Sequence, residues 1–134
     1  MSVEHFPVLR SGLTAVIRLP AEIDLTVADE LREALLSVLN QGALALVVDM
    51  TATTFCDSAG ITAFVRAGRR ATATGAVMRL AAVAPAVLRV FSLVGLDRLI
   101  DVYPSVNAAL ASLPDQTGDW SGKGSPDQSG GLVR

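Results

Sequence analysis

Residues 44–48, Leu-Ala-Leu-Val-Val, form an unbroken apolar run with no polar residue at alternate positions. A strand with one wet face alternates apolar with polar, so this run predicts a strand covered on both faces, as in a mostly parallel sheet with helices packed against it. The neighbouring segments fit that frame. Residues 13–19 are rich in aliphatic and β-branched types and stop at Pro20, as a strand would, and a weaker strand candidate at 3–9 precedes them across the turn residues Ser11-Gly12, which predicts a hairpin. After Asp24-Leu25-Thr26, the residues Leu31, Ala34, Leu35, Val38 and Leu39 recur at spacings of three and four, one stripe of a helix that ends at Gly42. Thr26 is the expected N-cap of that helix, with Asp29 and Glu30 in its first turn, where the helix dipole favours acids.

A polar bend at 51–54 leads to a second helical stripe, Ile61, Phe64, Val65, Gly68 and Thr72, which starts at Asp57-Ser58 and runs to Gly75. Residues 77–83 read as another buried strand. Pro85 is suited to the first turn of a helix whose face is Val87, Leu88, Phe91 and Val94, with Gly95 ending it. A short strand at 99–102 and a closing helix at 104–113 complete the order ββαβαβαβα. The fold class is therefore α/β: one domain over 1–113, with a mixed, mostly parallel sheet of four to five strands and about four helices. From 114 to 134 the chain turns to Gly, Ser, Pro, Asp and Gln with little to bury, which predicts a disordered tail.

Composition narrows the function. Of 134 residues 51% are hydrophobic but only 4% aromatic, so the interior is aliphatic. A net charge of −2 provides no broad positive field for a phosphodiester backbone, and nucleic acid is not an expected partner. No apolar run approaches the roughly 20 residues that span a bilayer, and the first residues lack the basic and apolar regions of a signal peptide, so a cytoplasmic protein without direct membrane insertion is expected. Cys56 is the single cysteine and His5 the single histidine, which leaves no internal disulfide and no zinc-type cluster; no metal or cofactor is expected.

The chemistry concentrates between the central strand and the second helix, Thr51-Ala-Thr-Thr-Phe-Cys-Asp-Ser-Ala-Gly-Ile61, where open α/β sheets place functional loops. On periodicity alone, Ser58 reads first as a helix cap. Cys56 next to Asp57 near a helix start raises a catalytic or redox reading, but no histidine lies nearby to act as base, and Phe55 suggests a thiol turned into the core. Arg66, Arg69 and Arg70 form the one basic cluster, most simply a solvated helix face, with a share in a partner interface as the alternative. Met50 and Met78 read as core filler. Gly122-Lys-Gly-Ser125 lacks the full phosphate-loop spacing, and Trp120 lies in the polar tail.

Asp57-Ser58-Ala59-Gly60-Ile61, preceded by Leu46-Val-Val-Asp49 and Phe55, closely resembles the phosphorylation-site region of anti-sigma factor antagonists, the bacterial STAS domain family. Glu22-Ile-Asp-Leu25 resembles that family's element ahead of its first helix, and Pro85 to Ile100 resembles its third-helix region. The resemblance covers about residues 8–112. Two positions depart from it: Ala59 replaces a frequent second hydroxyl residue, and Ala21 replaces a glycine before Glu22. The resemblance implies a non-enzymatic binding protein in a partner-switching cycle. The unphosphorylated domain would bind an anti-sigma factor that is also a serine kinase, freeing a sigma factor. Phosphorylation of Ser58 would release the kinase, and a serine phosphatase would reset the switch. ATP and magnesium would belong to the kinase. Asp57 would position the loop, and Glu22, Asp24, Ala59, Gly60, Thr62 and Arg66 would help form the docking surface. The competing implication is a non-cycling STAS scaffold or the cytoplasmic partner of a lipid transporter.

Overall fold

The structure, a computed structural model, describes residues 6–114. His5, Trp120, the 122–125 segment and most of the tail expected at 114–134 lie outside the described residues. Strands β1 (Val8–Ser11) and β2 (Thr14–Arg18) form the hairpin, followed by β3 (Glu22–Ile23), α1 (Leu25–Asn40), β4 (Ala45–Met50), β5 (Phe55–Cys56), α2 (Ser58–Thr74), β6 (Val77–Ala82), α3 (Pro85–Val94), α4 (Leu96–Leu99), β7 (Asp101–Tyr103) and α5 (Val106–Ala111). The main sheet has five strands in the order β1-β2-β4-β6-β7. Only the β1–β2 pair is antiparallel; β2–β4, β4–β6 and β6–β7 are parallel. All six residues of β4 are buried, as the unbroken apolar run requires of a central strand.

Several local expectations are corrected. The hairpin turn is Gly12-Leu13, with Ser11 and Thr14 paired, so the first strand sits later than 3–9. Helix α1 begins at Leu25 and its N-cap is Asp24, whose carboxylate accepts from the Thr26 N–H; Thr26 is a donor to the cap, and Asp29 and Glu30 fall beyond the first turn. Asp and Thr both cap well, but Asp24 comes first in the chain and its carboxylate takes the Thr26 hydroxyl as well. In α2 the buried face is Gly60, Ala63, Phe64, Ala67, Gly68 and Ala71, turned from the expected stripe, so that Ile61 and Val65 lie at its margin and Thr72 is exposed. Small residues win that face because the helix is held close: a Cβ on Gly68 would stand 3.1 Å from Ile100 Cδ1.

In α3 only Val87 and Phe91 are buried, Phe91 meeting Phe64 edge to face at 6.3 Å between ring centres, while Leu88 and Val94 are exposed. Gly95, left-handed at φ 79°, ends α3 and caps the short α4, which occupies part of the segment expected as a strand; the strand itself begins at Asp101. The closing helix starts at Val106 behind its N-cap Ser105. Met50 and Met78 are buried in the core, as read from the sequence. The two-stranded parallel ribbon β3–β5 was not anticipated, and it determines the geometry of the site.

Candidate functional site

Parallel strands release their loops at one end of a sheet, and here the exits of β2 and β4 are tied together there. The Leu19 N–H donates to the Asp49 carbonyl at 2.9 Å, Arg18 stands 3.7 Å from the Asp49 carboxylate, and Asp49 also accepts from the Thr51 N–H and hydroxyl. Buried Thr53 donates its hydroxyl to the Pro20 carbonyl at 2.8 Å, and the Ala21 carbonyl accepts from the N–H groups of Thr54 and Phe55. The two loops then run side by side as β3 and β5, with Glu22 opposite Phe55 and Ile23 opposite Cys56, and the Asp57 N–H donates to the Ile23 carbonyl. The ribbon thus joins two sequence segments more than thirty residues apart, and each leg leads directly into a helix N-terminus.

Both helices open on an aspartate. Asp24 caps α1, and the hydrogen bonds from Thr26, the hydroxyl first and then the backbone N–H, hold its carboxyl below the ordinary value. Asp57 caps α2 by accepting from the N–H groups of Ala59 at 3.0 Å and Gly60 at 3.3 Å. The capping reading of Ser58 is therefore corrected: Asp57 does that work, and Ser58 is the first residue of the helix. Ser58 is exposed, its hydroxyl has no hydrogen-bond partner among the described residues, and its carbonyl accepts from the Thr62 hydroxyl at 3.0 Å.

The other residues singled out from the sequence divide between surface and interior, and the expectation that Gly60 helps form the docking surface is corrected. Glu22 is exposed on β3, and Thr62 and Arg66 are exposed one and two turns along α2. Ala59 is half-buried. Gly60 is buried and faces inward: a Cβ there would lie 2.6 Å from Ile23 Cγ2 and 2.8 Å from Cys56 Sγ, so its place is to let α2 close onto the ribbon. Cys56 is buried, and burial, aided by the Asp57 carboxylate, pushes its thiol up to about 12, the opposite of an activated nucleophile. The thiol does turn into the core, as expected, although Phe55, the apolar neighbour that suggested it, is itself 50% exposed.

Sequence reasoning passed over two features. Leu25 and Phe55, at the start of α1 and on β5, leave large apolar side chains in water next to the acidic and hydroxyl groups. The sequence signal was present for Leu25, which falls outside the buried stripe of α1; for Phe55 it required knowing the two-residue strand. Arg32 of α1 also joins Arg66 and Arg69 around one groove, whereas Arg70 turns away to Asn40 at 3.0 Å.

With that geometry in place, comparison with known proteins is decisive at the level of family: the model of the STAS domain matches residues 6–109. The chain belongs to the STAS domain family. Among solved structures it is similar to an anti-sigma factor antagonist from Mycobacterium paratuberculosis, at 27% identity and TM-score 0.73 over 79% of this chain and 90% of that one. It is also similar to the anti-sigma factor antagonist SpoIIAA in its unphosphorylated form, at 24% identity and TM-score 0.68 over 78% and 92% of the two chains. An anti-sigma-factor antagonist domain protein from Planctomyces limnophilus matches at 23% identity and TM-score 0.70 over 79% and 94%. The last two likenesses speak for the shared STAS fold. The same fold occurs within a murine anion transporter of solute carrier family 26, at 17% identity.

Proposed function

We propose that this STAS domain is an anti-sigma factor antagonist whose switch is the hydroxyl of Ser58. In its unphosphorylated form it binds an anti-sigma serine kinase and so frees a sigma factor; a phosphate on Ser58 releases the kinase, and a serine phosphatase restores the free hydroxyl. The observation that carries this reading is the division of labour at the start of α2. Asp57 satisfies the N–H groups of Ala59 and Gly60, which leaves Ser58 exposed and uncommitted at the first position of a capped helix. A kinase needs a hydroxyl it can reach, and a docking surface needs one that is held in place. The Mycobacterium paratuberculosis antagonist at 27% identity and the SpoIIAA structure in a phosphorylated form support the same reading.

The energy scale suits a charge switch. A phosphoserine carries about −1.5 to −2 charges at pH 7. Pressed into an interface beside the Asp57 carboxylate it opposes binding, and about 2.7 kcal/mol is enough for a hundredfold loss of affinity. The chain itself contributes no catalytic group in this scheme. The kinase holds ATP and magnesium, while Glu22, Asp24, Thr62 and Arg66, with the exposed rings and side chains of Phe55 and Leu25, contribute to the surface it grips.

The test is to mix the protein with each candidate anti-sigma kinase of the same genome, follow binding, and read intact mass after addition of ATP. One kinase should bind the native protein, add a single phosphate that is absent in Ser58→Ala, and release the product; Ser58→Asp should bind that kinase at least tenfold more weakly. If no kinase binds or modifies the protein, the antagonist reading fails and a non-cycling scaffold or transporter-associated role takes its place.

A further inference from the structure

Helix α2 carries three arginines and no acidic residue, in a chain whose net charge is −2. Two of them, Arg66 and Arg69, have no hydrogen-bond or ion-pair partner among the described residues. They face α1 across a groove of about 530 Å³ lined by Arg32, Leu36, Thr62, Val65, Arg66 and Arg69. Arg32 has one ion-pair partner among the described residues, Asp29, at 3.3 Å on a carboxylate that is largely in water. The floor is aliphatic, since Leu36 and Val65 are each half-buried. Ser58, Thr62, Arg66 and Arg69 recur at spacings of four, four and three, so the groove continues the same exposed face of α2 that begins with Ser58.

We propose that this groove docks an acidic amphipathic helix of a partner protein, with carboxylates on the guanidinium groups and aliphatic side chains on Leu36 and Val65. Guanidinium groups suit carboxylates because their planar fork gives two parallel hydrogen bonds, and an apolar floor between charged rims matches the two faces of such a helix. A phosphate-bearing small molecule fits less well. Phosphate sites draw on free backbone N–H groups at helix starts, and those of Ala59 and Gly60 in α2 are taken by Asp57. In line with the groove, a phosphate on Ser58 repels the acidic segment. That last step deepens the proposed switch and rests on Ser58 being its phosphorylated residue; the groove itself does not.

The test uses the full chain, labelled with ¹⁵N, and a synthetic helical peptide with glutamate and leucine on opposite faces, alongside a control with lysine replacing every glutamate. Amide shifts should be confined to α1 around Arg32 and Leu36 and to α2 from Thr62 to Arg69, and should weaken with added salt. The double variant Arg66→Gln/Arg69→Gln should lose about tenfold in peptide affinity while keeping its thermal midpoint, and Ser58→Asp should lose about threefold. Equal binding of the lysine peptide, shifts elsewhere on the surface, or no shifts at millimolar peptide would overturn the groove, and so would ATP producing the same shifts at lower concentration. No kinase enters this experiment, so peptide binding that survives a failed kinase screen sinks the antagonist reading alone. An unchanged affinity in Ser58→Asp removes the coupling to the switch.

Discussion

Two adjacent residues at the start of α2 differ in what they do for the fold, and the proposed function falls to the one the fold leaves free. Asp57 accepts two backbone N–H bonds and is part of the fold, whereas Ser58 gives its side chain to water. Substituting an N-cap aspartate by alanine costs about 1 kcal/mol, which in a domain of this size lowers the thermal midpoint by roughly 3–6 °C. Asp57→Ala should show that loss by calorimetry, and Ser58→Ala should stay within about 0.5 kcal/mol of the native protein, as an exposed substitution away from any cap does. A Ser58→Ala loss as large as that of Asp57→Ala would mean that the serine is a cap after all. The sequence could not separate the two, because Asp and Ser cap equally well and only the observed acceptor decides. The same ambiguity misplaced the cap of α1, where Asp24 and Thr26 are both competent and their hydrogen bond makes one the donor to the other.

At the scale of elements, what could be read from the sequence was what repeats. The apolar run of β4, the leucine stripe of α1 and the stop at Gly95 have strong periodic or conformational signals, and the structure has them within a few residues. The face of α2 was misjudged because alanine and glycine carry little hydrophobic weight, although close approach favours them over Ile61 and Val65. The β3–β5 ribbon left no periodic signal at all: two residues per strand cannot display a pattern, and their pairing depends on loops from distant parts of the chain. Gly60 is where that ribbon constrains α2. A Cβ there would be 2.6 Å from Ile23 Cγ2, so Gly60→Ala should destabilise by about 1–3 kcal/mol through overpacking. Ile23→Val keeps the offending methyl and should not relieve the clash, while Ile23→Ala removes it. In denaturant titrations the cost of Gly60→Ala should therefore shrink in the Ile23→Ala background, and strict additivity of the two changes would refute the contact.

Across the whole molecule, Ser58, the proposed switch, sits at the sheet end where β2 and β4 release their loops, while the structural weight lies in the sheet behind it. Ser58 is bound to the core only through backbone, and β4, buried along its length, is clasped between β2 and β6. A phosphate placed at the first position of α2 gains from the helix dipole and loses against the neighbouring Asp57 carboxylate, and both effects fall off within about a turn or a Debye length of roughly 10 Å. Neither reaches the central strands. Amide hydrogen exchange on the phosphorylated protein should therefore show the same protection in β2, β4 and β6 as the unmodified protein, with changes restricted to the β3–β5 ribbon and the first turns of α1 and α2. This outcome assigns the loss of partner affinity to charge and bulk at the surface. Loss of protection throughout the core would instead require a conformational change on phosphorylation, and a rigid docking face could not then account for the release.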